Sequence, residues 1–216
     1  MARTTGRTLS AEDLEFYRES DYPVRDRLLR PDRFEALKEH FEQKLAGLSE
    51  GEFPEDADVP HFTDPALFRW LSDEDVLDLV ETILGPDTAL FSARFFCKPA
   101  GDGKSVPRHQ DAHYWRETID PATEAITVWP AIDPSGRRNG CRKVIHGSHL
   151  GKASRYRDVT ETGSVLDEEL DRSEVDVGRA VPVELEPNQA GIHAAGLVHG
   201  SDANVSSLRR CGFTMR

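Results

Sequence analysis

A barrel or jelly roll, mainly β with supporting helices at its N-terminal end, is the architecture expected from this chain. Three observations point to it. Apolar residues recur at helical spacing through residues 1–86 and give way to short β-rich runs over 87–216. Turn residues divide those runs at intervals suited to antiparallel strands. No internal repeat or composition break splits the 216 residues, so one domain is expected, with 1–86 as mostly helical support and 87–216 as the jelly-roll core.

Ser10 stands three residues before Asp13 in "SAEDLEFYRES", a capping pattern that predicts a short helix. After "RPD", the residues Phe34, Leu37, Phe41, Leu45 and Leu48 form one apolar stripe on a charged helix, which must face a core. Ser72 with Asp75 repeats the cap ahead of Val76, Leu79, Val80 and Ile83, and "GP" at 85–86 stops that helix. From "TALFSARFF" onward, turns are expected at "AGDG" (100–103), "DPSGRRNG" (133–140) and "EPNQAG" (186–191). Within the second, Asn139 and Gly140 read as a tight turn, and Asn204 with Ser206 as organisers of the turn before Arg210. The acidic, weakly periodic stretch 158–178 reads as a long surface loop of the kind that lies over a pocket.

Composition narrows the partners. With 38% hydrophobic and 31% charged residues the chain is an ordinary soluble globular sequence. Its formal charge of −12 opposes binding to nucleic acid or an anionic membrane and favours a small or cationic partner. No run of about 18 apolar residues occurs, and "MARTTGRTLSAEDLEF" lacks the apolar centre of a signal peptide. Cys97, Cys141 and Cys211 are odd in number and far apart, which predicts reduced thiols and a cytoplasmic location. A monomer or homodimer is expected.

The stretch "RHQDAHYW" (108–115) carries the chemistry. Read as a strand, it projects His109 and Asp111 from one side. Joined by a distant histidine, they make a two-His-one-carboxylate face with three open positions, the arrangement non-haem Fe(II) uses. An H-x-D triplet alone is weak evidence, so a third ligand is required from His113, His146, His149, His193 and His199. His199 follows "AAGLV" at the end of a plausible strand, and Arg210 stands on the next, "RCGFTMR", where its guanidinium can grip a carboxylate bidentately. Strand parity aims His113 toward the same side, and Tyr114 and Trp115 are expected to line the pocket. Lys98 stands near the site, placed to pair with an acidic cosubstrate or substrate. His193 reads as a buried, satisfied imidazole sharing strand parity with His199, and His146 and His149 as turn residues.

The segments "FFCKPAGDGKSVPRHQDAHYW", "VWPAIDPSGRRNGCRKVIHGSH" and "LVHGSDANVSSLRRCGF" together resemble the phytanoyl-CoA dioxygenase family of Fe(II)/2-oxoglutarate oxygenases over residues 91–216. The resemblance implies a double-stranded β-helix (jelly-roll, cupin-like) core with N-terminal α-helices. It implies His109, Asp111 and His199 as iron ligands, Arg210 and Ser201 on the distal carboxylate of 2-oxoglutarate, and Trp129 beside that cosubstrate. The implied reaction uses O2 to hydroxylate an unactivated carbon of a small organic molecule while 2-oxoglutarate decarboxylates to succinate. Related halogenases lack the carboxylate at the position of Asp111, so its presence implies hydroxylation. Two departures are visible: "HGSH" replaces the usual "PGSH", and Arg108 stands where many relatives carry an aromatic. The sequence ends at Arg216, sooner after Arg210 than in many relatives, which predicts a more open pocket. The competing readings are a metal- or ligand-binding jelly roll without turnover and a hydrolase using another divalent metal.

Overall fold

The computed structural model describes residues 3–4, 8–52, 59–101, 104–151, 154–160, 164–171 and 173–216. The second half of the expected "AGDG" turn and parts of the 158–178 stretch lie outside the described residues. A two-residue strand β1 (Arg3–Thr4) precedes helix α1 (Ala11–Ser20). The Ser10 hydroxyl accepts from the Asp13 amide at 3.1 Å while the Asp13 carboxylate accepts from the Ser10 amide at 3.0 Å, the reciprocal cap read from the sequence. The chain then forms β2 (Val24–Arg25) and α2 (Pro31–Ala46), whose Phe34, Leu37 and Phe41 are buried. Leu45 is only partly covered and Leu48 lies past the helix end. A short helix α3 (Phe68–Leu71) leads to α4 (Glu74–Leu84).

The cap of α4 differs from the sequence reading. Asp73 caps it, accepting from the Asp75 amide at 3.1 Å, while the Ser72 hydroxyl donates back to the Phe68 carbonyl. Both residue types serve as caps. Asp73 also meets the Arg33 guanidinium at 3.0 Å, which holds its carboxylate at the helix start. Gly85, at φ 84°, ends α4.

The remaining elements are β3 (Ala93–Lys98), β4 (Val106–His109), helix α5 (Asp111–Trp115), β5 (Ile126–Pro130), β6 (Arg142–Ile145), β7 (Tyr156–Asp158), β8 (Glu168–Leu170), β9 (Ala180–Pro182), β10 (Ala190–Ala194), β11 (His199–Ser201) and β12 (Arg210–Met215). A six-stranded sheet runs β1-β2-β10-β5-β12-β3 and a four-stranded sheet runs β4-β11-β6-β9. The N-terminal part is therefore not only helical support, because β1 and β2 extend the larger sheet. The stretch 158–178 is likewise not wholly a loop: β7 and β8 pair antiparallel at its start, with Arg157 and Glu169 opposite each other. Short strands with so many acidic residues leave little period-2 signal in the sequence.

Alternation along β12 divides the larger sheet into two chemically distinct faces. Cys211, Phe213 and Met215 point to the helices, where Phe213 stacks on Phe95 at 4.4 Å and Phe95 meets Phe41 at 4.9 Å. Arg210 and Thr214 point the other way, into a cavity. The β3–β12 register sets Cys97 opposite Cys211, and the two form a disulfide; Cys141 is a buried free thiol. This corrects the expectation of three reduced thiols. A separation of 114 residues gave the sequence no sign of the pairing that antiparallel register enforces.

Asp21, buried and left-handed at φ 63°, closes α1 and accepts from the Ala194 amide at 2.8 Å. Burial pushes its carboxyl up to about 8, so the folded chain keeps a proton that the unfolded chain loses near pH 4. Its contribution to stability is therefore present below about pH 4 and is lost as pH rises toward 8. Asn tolerates the left-handed backbone and keeps the acceptor for Ala194. Thermal melts of Asp21→Asn against the wild type should show a Tm difference that shifts in the variant's favour as pH rises across that window.

Candidate active site

The two larger sheets enclose a cavity of about 760 Å³. On its wall β4 ends at His109, Gln110 stays extended (φ −116°, ψ 127°), and the chain then turns into α5 with Asp111 as its first residue. The segment 108–115 is thus a strand only to His109, which corrects the continuous strand expected from the sequence. The extended Gln110 still leaves His109 and Asp111 on the same side, with His109 Nε2 3.5 Å from Asp111 Oδ1. Register places His199 of β11 directly opposite His109, with ring centroids 4.2 Å apart. Between that pair and the Ser201–Val106 pair the ladder shifts, a bulge that falls at Pro107 on the edge strand. Proline lacks a ladder donor and is tolerated at such a place.

His109, Asp111 and His199 are all buried, and one ligand atom from each lies within 4.8 Å of the others. Each imidazole is tied at Nδ1: His109 to the Pro107 carbonyl and His199 to the Leu197 carbonyl, both at 2.9 Å. An Nδ1–H donated to a carbonyl leaves a lone pair on Nε2, the form a metal takes. Burial and the neighbouring His109 hold the His199 imidazolium well below its ordinary pKa, so the ring is neutral. Burial pushes the Asp111 carboxyl up, but contacts with His109 and His193 and the charge of Arg216 outweigh it and hold the group well below the usual carboxylate range. Two imidazole nitrogens and one carboxylate oxygen on one face fit a divalent iron ion with open positions.

A layer behind the triad was not assigned from the sequence. The Thr127 hydroxyl donates to Asp111 Oδ2 at 3.3 Å, and His193 Nε2 faces the same oxygen at 3.6 Å. Arg142 donates to His193 Nδ1 at 2.6 Å, so the imidazole presents its N–H toward Asp111. Burial, with Arg142 adding, pushes the His193 pKa down to about 4. His193 is buried as expected, but it lies on β10 and not on the strand of His199. Gly191 is what admits Arg142, since a Cβ there would collide with the guanidinium. The available signal was parity: Thr127 with Trp129, and Gly191 with His193, stand two apart on their strands.

The buried Arg210 guanidinium donates to the Gly140 carbonyl at 2.6 Å and sits 5.2 Å over the Trp129 ring. Gly140 is left-handed at φ 74°, so the expected tight turn also delivers the carbonyl that aims Arg210. A Cβ on Gly212 would strike the Trp129 ring. Lys98 stands opposite Arg210 in the ladder, its ammonium donating to the Asp202 carbonyl, and burial together with Arg210 pushes its pKa down to about 7. Ser201 is buried on the cavity wall opposite Arg142. Asn204 ties this end together through its amide, which donates to the carbonyls of Pro99 and Leu208.

Tyr114 and Trp115 line the cavity, and so do Ser164, Val165 and Leu166 from the stretch after β7. His113 does not. In a helix it is rotated away from the strand direction, stacks on Tyr156 at 3.5 Å and pairs with Glu168 at 2.9 Å, fastening α5 to the β7–β8 hairpin. His149 reaches further than a local turn contact, bonding the Arg18 carbonyl of α1 at 2.9 Å, and His146 packs edge-on to Tyr22.

A sequence model of the phytanoyl-CoA dioxygenase family matches residues 22–212. The chain belongs to that family. The phytanoyl-CoA dioxygenase family comprises Fe(II)/2-oxoglutarate-dependent oxygenases, and the facial triad is present here. The peroxisomal phytanoyl-CoA dioxygenase of Bos taurus is 28% identical over 165 residues, covering 66% of this chain and 48% of its own. A probable alpha-ketoglutarate-dependent hypophosphite dioxygenase of Stutzerimonas stutzeri is 30% identical over 159 residues, covering 70% and 52%. The chain thus spans about half the length of these curated relatives. EvdO2 of Micromonospora carbonacea var. aurantiaca, solved with 2-oxoglutarate, superposes with a TM-score of 0.76 at 17% identity over 98% of this chain and 91% of that one. That likeness shows the fold, a double-stranded β-helix with N-terminal helices.

His193→Leu should leave Arg142 and Asp111 without their shared neighbour. Mn(II) titration followed by electron paramagnetic resonance should show about tenfold or greater weakening, in the range typical of groups behind metal ligands.

Proposed function

We propose that this chain is a non-haem Fe(II)- and 2-oxoglutarate-dependent dioxygenase that hydroxylates an unactivated carbon of a small organic molecule. One observation carries the reading: two imidazoles and a carboxylate converge on the wall of a cavity that is also lined by a buried arginine. His109, Asp111 and His199 would hold Fe(II), which supplies dioxygen activation when bound together with the 2-oxo acid. Arg210 pairs bidentately with the distal carboxylate of 2-oxoglutarate, Ser201 donates its hydroxyl to the same group, and Lys98 adds a second cation. The Trp129 ring, 5.2 Å from the guanidinium carbon, covers one side of Arg210. Tyr114 and Trp115 cover the cavity beside the triad and exclude water from the reacting carbon.

Anaerobic addition of Fe(II) and 2-oxoglutarate should give the weak visible charge-transfer band of the chelate, and His199→Ala should abolish it. Well-folded wild type without that band would overturn the reading, and succinate release with a turned-over substrate would separate turnover from ligand binding alone. Arg210→Ala should weaken 2-oxoglutarate about tenfold or more while sparing Mn(II) affinity.

Lys98 adds a pH dependence of defined sign. Its ammonium is charged below about pH 7 and neutral above it. Affinity for 2-oxoglutarate, read by titrating the chelate band, should fall as pH rises through that value, and Lys98→Met should flatten the slope.

A further inference from the structure

His109 and Asp111 are separated by one residue, so the backbone of Gln110 sets the angle between them. That residue is a joint. β4 ends just before it, at the edge of the four-stranded sheet, and α5 begins just after it. α5 has only five residues, and Gln110, its N-cap, makes no side-chain capping bond. A helix of little more than one turn does not hold its own geometry in water, so the joint has to be braced from outside.

Three hydrogen bonds supply that brace. The Gln110 side-chain amide donates to the Gly196 carbonyl at 2.7 Å, and the Ala112 backbone amide to the Ala195 carbonyl at 2.9 Å. Both reach the turn that runs into β11 and His199. The third comes from a remote element: the Gln110 backbone amide donates to the hydroxyl oxygen of Tyr156, on β7, at 2.8 Å. This amide belongs to the peptide plane that leads from His109 toward Asp111, so the tyrosine oxygen fixes the tilt of that plane. With β4 at the edge of its sheet, a side-chain oxygen does here what a neighbouring strand's carbonyl does elsewhere.

Tyr156 is itself firmly held. Its ring stacks on His113 at 3.5 Å with the two planes 4° apart, and His113 meets the Glu168 carboxylate of β8 at 2.9 Å. Leu170, its partner in the β7–β8 register, packs with Ile145 and Val198, and Tyr156 rests against the same cluster. Val198 immediately precedes His199. Burial pushes the Tyr156 phenol up to about 12, so the oxygen stays a neutral hydroxyl.

Resting on the dioxygenase reading, we propose that Tyr156 is a positioning residue of the metal centre, whose hydroxyl sets the angle between His109 and Asp111 by holding the Gln110 amide. Such constellations tolerate only about 0.5 Å or 10–20° of misplacement, so a peptide plane lying between two ligands needs a fixed partner. Val165 and Leu166, between β7 and β8, line the cavity. The segment that covers the pocket therefore also braces its metal ligands.

The test compares two single variants with the wild type. Tyr156→Phe keeps the ring and its stack on His113 and removes only the accepting oxygen. Mn(II) titration followed by electron paramagnetic resonance should show about tenfold weaker binding. The Mn(II) spectrum should broaden and the Fe(II)–2-oxoglutarate chelate band should shift, because both report ligand geometry. Tm should fall by no more than about 4 °C, the size of one lost hydrogen bond. Glu168→Ala loosens the same hairpin from His113 without touching the Tyr156 oxygen; it should lower Tm comparably while keeping wild-type Mn(II) affinity and spectrum. In the wild type the Gln110 amide should be protected from hydrogen exchange, and Tyr156→Phe should lose about tenfold of that protection. Wild-type affinity and spectra in Tyr156→Phe, equal losses in Glu168→Ala, or an unprotected Gln110 amide in the wild type would each overturn the positioning role alone. Wild type lacking the chelate band would overturn the dioxygenase reading itself, and the role that rests on it.

Discussion

Pairing of β11 with β4 in the register that sets His199 across from His109 is the constraint on which the site depends. Ninety residues of chain separate the two imidazoles, yet their rings lie 4.2 Å apart because neighbouring strands hold opposed side chains at close range. A slip of one residue would turn His199 out of the cavity. Carbonyls two residues upstream of each histidine then select which nitrogen faces inward. Backbone geometry thus fixes position and tautomer of both rings, and only Asp111 depends on a helix start for its placement.

Behind that constraint, Arg142 acting through His193, and Thr127 acting directly, surround the buried Asp111 carboxylate with polar groups that favour its ionised form. Its burial alone would favour the protonated form; donors and cations around it reverse the balance. Such networks are costly when any member is missing, since each leaves a desolvated group without its partner. The glycines at 191 and 212 belong to the same design: one makes room for the Arg142 guanidinium, the other for the Trp129 ring on which Arg210 rests.

The sequence disclosed these parts unevenly, for physical reasons. The α2 stripe and the Ser10 cap were readable because helix periodicity and capping act within a few residues. His109, Asp111, His199 and Arg210 were nameable because the segments around them resemble a family, and the structure brings the first three within ligand distance of one another. Features made by pairing of remote strands were opaque: the Cys97–Cys211 disulfide, the His193 contact and the hairpin within 158–178. His113 was misdirected because the strand stops at His109, a helix begins at Asp111, and parity ceases to apply.

The two-faced pattern of β12 also bears on how the barrel reaches its native pairing. Its odd-numbered side chains sit among phenylalanines and its even-numbered ones among cations. An alignment wrong by one position would drive guanidinium groups into hydrocarbon while stranding aromatic rings among the polar and charged side chains of the cavity. Strand arrangement here is proofread by solvation, and the residues that equip the cavity for chemistry are the ones that reject the wrong alignment.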